Sequence, residues 1–190
     1  MLYDQALLAL AYTEAFRLWG DAAFRRTAEE IFVYVLRDLR GPGGGFAAAE
    51  DADSEGEEGR FYLWTVDEVT ALLGPAAAEE FATAFHMRGN GNFTSELGER
   101  SDRNILHRLS PLALAASDFT LPADGLPPLE AARTVLLAAR GKRVRPQRDD
   151  KVLADWNGLT IAALARAAAV FAEPRHAGEA AAAARFALAT

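Results

Sequence analysis

Two helical segments joined by a very short turn constrain the fold of this chain most strongly. Residues 2–19 form a helical pattern that is apolar on nearly all sides, which predicts a buried inner helix. Gly20 and Asp21 interrupt this pattern, and Asp21 is the predicted N-cap of the next helix. Residues 22–39 repeat apolar side chains at steps of three and four, with charged side chains on the opposite face. This arrangement predicts an antiparallel helical hairpin.

A second helical pair is predicted near the other end of the chain. Asp155 is the predicted cap of a helix over residues 156–171, and Pro174 separates this helix from an alanine-rich one over 176–189. The first of the two has a predicted buried stripe that consists of Trp156, Leu159, Ala163, Leu164, Ala167, Val170 and Phe171. The two pairs together predict a mainly α fold.

The segment EDADSEGEEGRFYLWT, Glu50 to Thr65, concentrates six carboxylates directly before an apolar, aromatic run. Residues 46–49 and 60–64 are predicted to form two short strands, with the acidic run as the loop between them. The glycine-rich stretch at 41–45 precedes them and lacks the lysine of a phosphate-binding loop, so it is interpreted as a turn. A small β-hairpin insertion near 46–64 is therefore predicted.

The chain between the hairpin and the second helical pair is predicted to alternate short helices with polar loops. Thr65 and Glu68 have the spacing of a capping box for a helix that ends near Leu73 and Gly74. The further predicted elements are a helix over 76–85, a polar loop over 86–104, an extended piece over 105–109, a helix over 128–140 and a charged loop over 141–158.

Composition and charge exclude some classes of partner and of chemistry for this chain. The chain has 190 residues, a net charge of −7 and no cysteine. Such a charge argues against nucleic acid or an anionic membrane as a partner, and the absence of cysteine excludes disulfide and thiolate chemistry within this chain. Because the sequence shows neither a signal peptide nor a hydrophobic run long enough to span a bilayer, a cytoplasmic location is expected.

The acidic run partly matches a calcium-binding loop. Asp51, Asp53, Glu55 and Gly56 stand at its first, third, fifth and sixth positions, but Tyr62 occupies the twelfth, where a bidentate glutamate is needed. An EF-hand is therefore rejected. Two interpretations stay open: a looser oxygen-ligand site for a divalent cation such as calcium on Asp51, Asp53 and Glu55, and a solvated acidic hairpin tip.

The segment RDDKVLADWNG, Arg148 to Gly158, combines carboxylates, an aromatic ring and an amide. These groups can supply a sugar site with an acid or base, a stacking surface and a partner for hydroxyl groups. The candidate ligand-binding residues of this segment are Arg148, Asp149, Lys151, Trp156 and Asn157, with Asp150 as a candidate acid or base. The alternative is an ion-paired loop with a tryptophan in the core.

Polar side chains elsewhere are fewer. Tyr3 and Asp4 interrupt an otherwise apolar helix, which indicates a hydrogen-bonded network or the wall of a cavity. They are candidate ligand-binding residues, as is Glu50. No pair among His86, His107 and His176 has metal-ligand spacing, so a zinc site is not predicted.

Five ordered blocks of sequence carry a family resemblance. They are MLYDQALLALAYTEA, GGGFAAAEDADSEGEEGRFYLWT, GNFT, NILH and RPQRDDKVLADWNGLTIAALARA. The chain resembles the spermatogenesis-associated protein 20 family, whose members contain a thioredoxin-like domain. The resemblance implies a second, (α/α)₆ toroid region related to N-acylglucosamine 2-epimerases and six-hairpin glycosidases. Residues 1–190 would form a single partial toroid domain, cut at both ends, without the thioredoxin-like domain and its cysteine pair.

The resemblance also implies a location for a site, because the inner helices of such toroids line a cavity and the loops at one rim carry the site. Tyr3 and Asp4, the acidic run at 50–55 and the segment 149–157 would then face one cavity, with Asp51, Asp53 and Asp150 as catalytic candidates. Two hypotheses follow. The first is a carbohydrate-active hydrolase or epimerase, inactive as a fragment, and the second is a non-catalytic module that presents a ligand or partner to the thioredoxin-like domain.

Self-association is expected for a piece of a toroid. The terminal helices would lack neighbours that a closed ring supplies, and exposed apolar faces of this kind tend to associate. The expected assembly is a two-fold dimer through the helices at 2–19 or 156–189.

Overall fold

The computed structural model describes residues 1–95, 98–107 and 127–189. This part of the chain is mainly helical and divides into two compact units. Unit 1 comprises Met1–Asp51 and Gln147–Thr190, and unit 2 comprises Ala52–Pro146. The predicted mainly α fold is confirmed, whereas a single domain over residues 1–190 stays a prediction.

The helices and strands are numbered in chain order. The helices of unit 1 are α1 (Leu2–Trp19), α2 (Ala22–Tyr34), α6 (Ala154–Phe171) and α7 (Pro174–Ala189). Those of unit 2 are α3 (Val66–Leu73), α4 (Pro75–Ala84) and α5 (Pro127–Arg140). The short strands are β1 (Ala49–Glu50) and β4 (Arg148–Asp149) in unit 1, and β2 (Asp53–Ser54) and β3 (Glu57–Glu58) in unit 2.

The first helical hairpin forms where the sequence predicts it. Gly20 adopts the left-handed conformation, with a φ of 71°, and its N–H caps the carbonyl of Phe16. Asp21 then accepts a hydrogen bond from the N–H of Ala23 and caps α2. The predicted helix over 22–39 differs at its end, because α2 gives way to a π-helical turn over Val35–Leu39.

The two helical hairpins of unit 1 lie side by side with their first helices in contact. The ring centroids of Tyr3 and Trp156, near the starts of α1 and α6, are 4.9 Å apart. Those of Phe16 and Phe171, near the ends of the same helices, are 5.5 Å apart. These two contacts require α1 and α6 to run parallel. α1 also packs on α2 and α6 on α7, and the ring centroids of Phe32 on α2 and His176 on α7 are 5.0 Å apart.

One face of α1 is exposed, so the helix is not fully buried as an inner helix would be, and it shows the exposed apolar face that was expected for a terminal helix without neighbours. Leu2, Ala6, Ala9 and Thr13 are buried against the neighbouring helices. The apolar side chains of the opposite face remain in contact with solvent, and they are Leu7, Leu8, Leu18 and Trp19, the last of these 71% exposed. The helix is apolar on nearly all sides, but in this structure it has packing partners on only part of its circumference.

The start of α6 also differs from its prediction. Asp155 is not the cap, because the helix begins at Ala154 and its N-cap is Leu153, which makes no side-chain capping bond. Four members of the predicted stripe are buried, namely Ala163, Leu164, Ala167 and Phe171. Leu159 is instead exposed, Trp156 and Val170 are half-buried, and Asn157 and Thr160 are the buried residues of the first turns. At the start of the helix, the buried face therefore consists of Asn157 and Thr160 and not of Trp156 and Leu159.

The glycine-rich stretch packs around an aromatic ring of α7. A Cβ atom built on Gly43 would lie 2.7 Å from the ring of Phe186, and one on Gly45 would lie 2.5 Å from it. Both distances are too short for van der Waals contact, so the absence of side chains at these positions allows the ring to pack there. The stretch is the predicted turn, and it also receives the end of the last helix.

The short strands correct the prediction of a hairpin built from 46–49 and 60–64. In unit 2, β2 pairs with β3, Asp53 opposite Glu58, so the acidic run forms the hairpin itself. Glu55 and Gly56 make its turn, both with positive φ, as a two-residue hairpin loop requires. In unit 1, β1 pairs with β4, with Glu50 opposite Arg148. A small hairpin within 46–64 is therefore present, but on other residues.

Unit 2 has a core of its own. The capping box of Thr65 and Glu68 starts α3 as predicted. Buried side chains of α3, α4 and α5 pack together with Trp64, and they include Val69, Phe81, Leu129 and Leu136. Arg143 donates hydrogen bonds to the carbonyls of Phe61 and Leu63 and lies 4.0 Å from the ring centroid of Trp64. The apolar run after the acidic hairpin is thus anchored in this core.

Two asparagines organise the predicted polar loop at 86–104. The buried Asn104 accepts a hydrogen bond from the N–H of Arg88 and donates to the carbonyls of Arg88 and Trp64. Asn92 accepts from the N–H of Ile105 and donates to its carbonyl. The predicted extended piece begins in this region, and its residues after His107 lie outside the described part of the chain.

Candidate functional site

Unit 1 brings several of the predicted site residues to one end of its central helix pair. Because α1 and α6 run parallel, their N-terminal ends lie together. Tyr3 and Trp156 are both half-buried there, and their rings meet edge to face with an interplanar angle of 60°. Asp4 follows Tyr3 on α1, and its carboxylate lies 3.2 Å from the amino nitrogen of Met1. Trp156 is thus at the margin of the core rather than within it.

Backbone hydrogen bonds attach the β1–β4 pair to this end of the helices. The N–H of Leu2 at the start of α1 donates to the carbonyl of Ala48 at 2.8 Å. The N–H of Ala48 in turn donates to the carbonyl of Asp149 at 3.0 Å, and that of Asp51 to Gln147 at 2.8 Å. The carboxylate-bearing strands therefore lie next to the start of α1.

Glu50 is held by a residue that sequence analysis missed. The hydroxyl of Tyr34, the last residue of α2, donates to the Glu50 carboxylate at 2.8 Å. On the opposite strand, Arg148 donates to the carbonyl of Asp38 at 3.2 Å. No local pattern in the sequence distinguishes Tyr34, because its role depends on the pairing of β1 with β4.

The adjacent aspartates of the segment RDDKVLADWNG are both ion-paired. Arg148 Nε lies 2.5 Å from Asp150 Oδ1, and Lys151 Nζ lies 3.1 Å from Asp149 Oδ2. The hydrogen bond from Lys151 is the main cause that lowers the pKa of Asp149 below its usual value. Asp149 is therefore ionised at neutral pH and can accept hydrogen bonds. These pairs agree with the ion-paired loop that sequence analysis kept as an alternative.

Asn157 is buried, with its amide engaged by the protein backbone. Its Oδ1 accepts from the N–H of Phe46 at 2.8 Å, and its Nδ2 donates to the carbonyls of Phe46 and Leu153. In this structure Asn157 connects α6 to the segment before β1, and its amide does not face solvent.

The three residues considered for a cation are not all assigned to the same unit. Asp51 is the last residue of the first segment of unit 1, whereas Asp53 and Glu55 belong to the hairpin of unit 2. Glu55 forms an ion pair with Arg60 at 2.9 Å. Within residues 1–95, 98–107 and 127–189, no group of three or more histidine, aspartate or glutamate side chains could hold a metal ion. A calcium site stays a prediction that this geometry does not favour.

The described part of the chain contains seven α-helices. None of them combines the length and the apolar character that crossing a membrane requires.

Known proteins similar to this chain include the mammalian spermatogenesis-associated protein 20. The human protein is 37% identical over 194 residues, which cover 92% of this chain and 25% of the human protein. The rat protein is 37% identical over 189 residues, covering 90% of this chain and 24% of its own length. The mouse protein is 36% identical over 184 residues, covering 87% and 23%. These similarities support the predicted resemblance of this chain to the spermatogenesis-associated protein 20 family.

This chain spans about a quarter of the length of the family members that it matches. A scan against protein-family models finds no match. Three of the blocks that carry the family resemblance contain an asparagine that bonds backbone groups, namely Asn92, Asn104 and Asn157. Each of these three asparagines therefore has a structural role in this chain.

Proposed function

We propose that unit 1 binds a carbohydrate, or a similar polyhydroxylated molecule, at the N-terminal ends of α1 and α6. The contact between Tyr3 and Trp156 carries this proposal. Two half-buried rings that meet edge to face leave apolar ring surface near the solvent, and a sugar ring can pack on such a surface. Neither ring is fully buried, and each belongs to a helix.

The carboxylates next to these helix ends suit the hydroxyl groups of such a ligand. Glu50 is held by Tyr34 at 2.8 Å, so its orientation is fixed before any ligand binds. Asp149 is kept ionised by Lys151, and an ionised carboxylate is a strong hydrogen-bond acceptor. The lowered pKa makes Asp149 a poor proton donor, and its proposed role is binding.

We further propose that the hairpins of unit 1 are part of an (α/α)₆ toroid of the kind found in N-acylglucosamine 2-epimerases and six-hairpin glycosidases. The support is the parallel packing of α1 and α6, each of which also packs on the other helix of its own hairpin. Successive hairpins of a ring repeat this relation. A fold of this kind hosts many functions, so the toroid alone does not specify a reaction.

If the bound sugar is also a substrate, the proposed reaction in the longer family members is that of a hydrolase or an epimerase. Asp51, Asp53 and Asp150 are then the candidate acids or bases. The second candidate function is a non-catalytic module that acts with a thioredoxin-like domain. The ion pairs of Asp149 and Asp150 favour this alternative, because a carboxylate that is paired with a cation is a weak base.

Tryptophan fluorescence and calorimetry with a panel of monosaccharides and disaccharides test the binding proposal. The expected result is saturable heat and a change in fluorescence for at least one sugar. Replacing Trp156 with leucine should abolish both signals because the stacking surface is lost. Trp19→Leu is the matched control, since Trp19 lies at the opposite end of α1 and is 71% exposed.

Comparison of the two variants distinguishes a loss of sugar binding from a loss of folding. Trp19→Leu should bind like the wild type, and Trp156→Leu should keep the far-ultraviolet circular dichroism of the wild type. Equal binding by both variants would refute the location of the site. No heat with any sugar would leave the non-catalytic module as the better proposal.

A further inference from the structure

Two histidines far apart in the sequence lie together in unit 2. The ring centroids of His86 and His107 are 5.2 Å apart, with an interplanar angle of 61°. His86 comes shortly after α4 and adopts the left-handed conformation, with a φ of 55°, which is uncommon for a residue with a side chain. His86 is partly exposed and His107 is exposed, so both rings can be reached from solvent.

The backbone around the two rings is fixed by hydrogen bonds. The N–H of His107 donates to the carbonyl of Phe85 at 3.4 Å. Asn92 Nδ2 donates to the carbonyl of His86 at 3.3 Å and to that of Ile105 at 3.1 Å. One asparagine therefore connects the two segments that carry the histidines, and the spacing of the rings does not depend on chance contact between side chains.

A guanidinium group lies next to this pair. Arg88 Nη2 is 3.3 Å from His86 Nε2, and the backbone N–H and carbonyl of Arg88 are both held by Asn104. Among the described residues Arg88 forms no ion pair with a carboxylate. Other arginines of unit 2 do, since Arg60 pairs with Glu55 and Arg143 pairs with Glu68.

We propose that His86, Arg88 and His107 form a binding site for a tetrahedral oxyanion, the phosphate group of a small soluble molecule. The guanidinium of Arg88 and one ring N–H of each imidazole can donate hydrogen bonds, and a cationic donor such as a guanidinium binds phosphate oxygens through charge-assisted hydrogen bonds. A metal ion fits the cluster poorly, because the guanidinium would repel it. The net charge of −7 likewise opposes the surface of an anionic membrane as the source of the phosphate.

The proposed site is independent of the carbohydrate site. All three residues belong to unit 2, and none of them is part of the helix ends in unit 1. In the sequence, no two of the three histidines have the spacing of a ligand pair. Only the folding of the polar loop, through Asn92 and Asn104, brings the two rings to one place.

Titration with inorganic phosphate, followed by NMR of the histidine ring resonances at constant pH, tests the proposal. We expect saturable shifts of the His86 and His107 resonances and none for the buried His176. Arg88→Met should weaken phosphate binding about tenfold, the loss expected for one charge-assisted hydrogen bond. Arg26→Met, which removes an exposed arginine from α2, is the matched control and should bind phosphate like the wild type.

His107→Asn is a second variant, in case Arg88→Met changes the loop, and it should weaken phosphate binding while the His86 resonance stays visible. Acetate, a planar anion, should bind more weakly than phosphate, and vesicles that contain phosphatidic acid should not retain the protein. Unchanged ring resonances in millimolar phosphate, or equal affinity in wild type and Arg88→Met, would overturn the proposal. Equal binding of acetate would overturn its tetrahedral specificity, and retention by the vesicles would overturn the soluble source.

Discussion

The side-chain amide of Asn157 forms hydrogen bonds with both polar backbone groups of Phe46. Its oxygen accepts from the Phe46 N–H at 2.8 Å, and its nitrogen donates to the Phe46 carbonyl at 3.0 Å. The two residues are 111 positions apart in the sequence. This contact attaches the segment that leads into β1 to the first turn of α6, next to the proposed carbohydrate site.

Replacing Asn157 with alanine should therefore destabilise the protein. The buried N–H and carbonyl of Phe46 would lose their partner, and an unsatisfied buried polar group costs about 1–3 kcal/mol. We expect the free energy of unfolding in urea to fall by about 2–3 kcal/mol. Asn90→Ala removes an exposed asparagine and should change it by less than about 0.5 kcal/mol. Similar losses in both variants would contradict the role assigned to Asn157.

Gly91 is predicted to tolerate no side chain. It has a φ of 74°, and a Cβ atom there would lie 2.1 Å from the carbonyl oxygen of Ser101 and 2.6 Å from that of Arg103. Both atoms belong to the backbone and cannot move aside cheaply, so Gly91→Ala should cost about 3 kcal/mol or more in thermal or urea unfolding.

Gly89 provides the matched control for this substitution. A Cβ atom at that position would meet no atom within 4 Å, so Gly89→Ala should leave the stability within about 1 kcal/mol of the wild type. If Gly91→Ala is no less stable than Gly89→Ala, the close approach of residues 101–103 to Gly91 is wrong.

Glu14 should contribute stability that disappears in acid. Hydrogen bonds from Arg166 on α6, and then from Arg17, lower the pKa of Glu14 from 4.5 to about 2. Because the pKa is lower in the folded than in the unfolded protein, the contribution is complete above pH 4.5 and is lost as the pH falls toward about 2. The difference in Tm between wild type and Glu14→Gln should therefore be largest at neutral pH and shrink across that interval.

Glu80→Gln is the matched control for Glu14. The Glu80 carboxylate on α4 is exposed and forms no ion pair with a described residue. Its Tm difference from the wild type should vary less with pH between 4.5 and 2. A Glu14→Gln difference that is constant across this range would show that the contact with Arg166 does not form in solution.

Self-association is the proposal that follows from the exposed face of α1. Leu7 and Leu8 are 47% and 49% exposed, and Trp19 is 71% exposed. Burying a large apolar side chain contributes about 1.5–3 kcal/mol, so pairing two such faces about a two-fold axis is favourable. We expect a dimer in sedimentation velocity at micromolar concentration, with α1 or the α6–α7 hairpin at the interface. The double substitution L7E/L8E should shift the protein to a monomer if α1 forms that interface.

Val135→Glu is the control for the dimer. It adds a charge at an exposed apolar position of α5, which is 42% exposed, and should leave the dimer intact. A wild-type protein that sediments as a stable monomer would contradict self-association, and a dimer that survives L7E/L8E would move the interface to α6 and α7.

Local sequence signals predicted most of the helices. The capping box of Thr65 and Glu68, the cap of Asp21 and the apolar spacing of α2 involve residues within one or two helical turns of one another. Such interactions form within a segment whatever the rest of the chain does. The helix over 128–140 and the turn at 41–45 were predicted on the same basis, and the structure has a helix at Pro127–Arg140 and a turn that packs around Phe186.

The pairing of distant segments was not accessible to the same reasoning. Strands of two residues such as β1 and β4 are too short to show an alternating pattern. Which side of α1 is exposed was also not predicted, because a helix that is apolar on nearly all sides carries little signal for which side meets its neighbours. The contacts of Tyr34 with Glu50 and of Asn157 with Phe46 depend on how those segments pack.

The sequence by itself therefore determined the helical hairpins, the Asp21 cap of α2 and the residues that stand at the start of α1 and α6. Only the tertiary structure decided that these starts lie together, that Tyr34 orients Glu50, and that His86 and His107 share one place beside Arg88. The physical reason is the separation along the chain of the residues that interact. Helix periodicity and capping are set by neighbours along the chain, whereas a binding site is set by side chains that meet only after distant segments have packed.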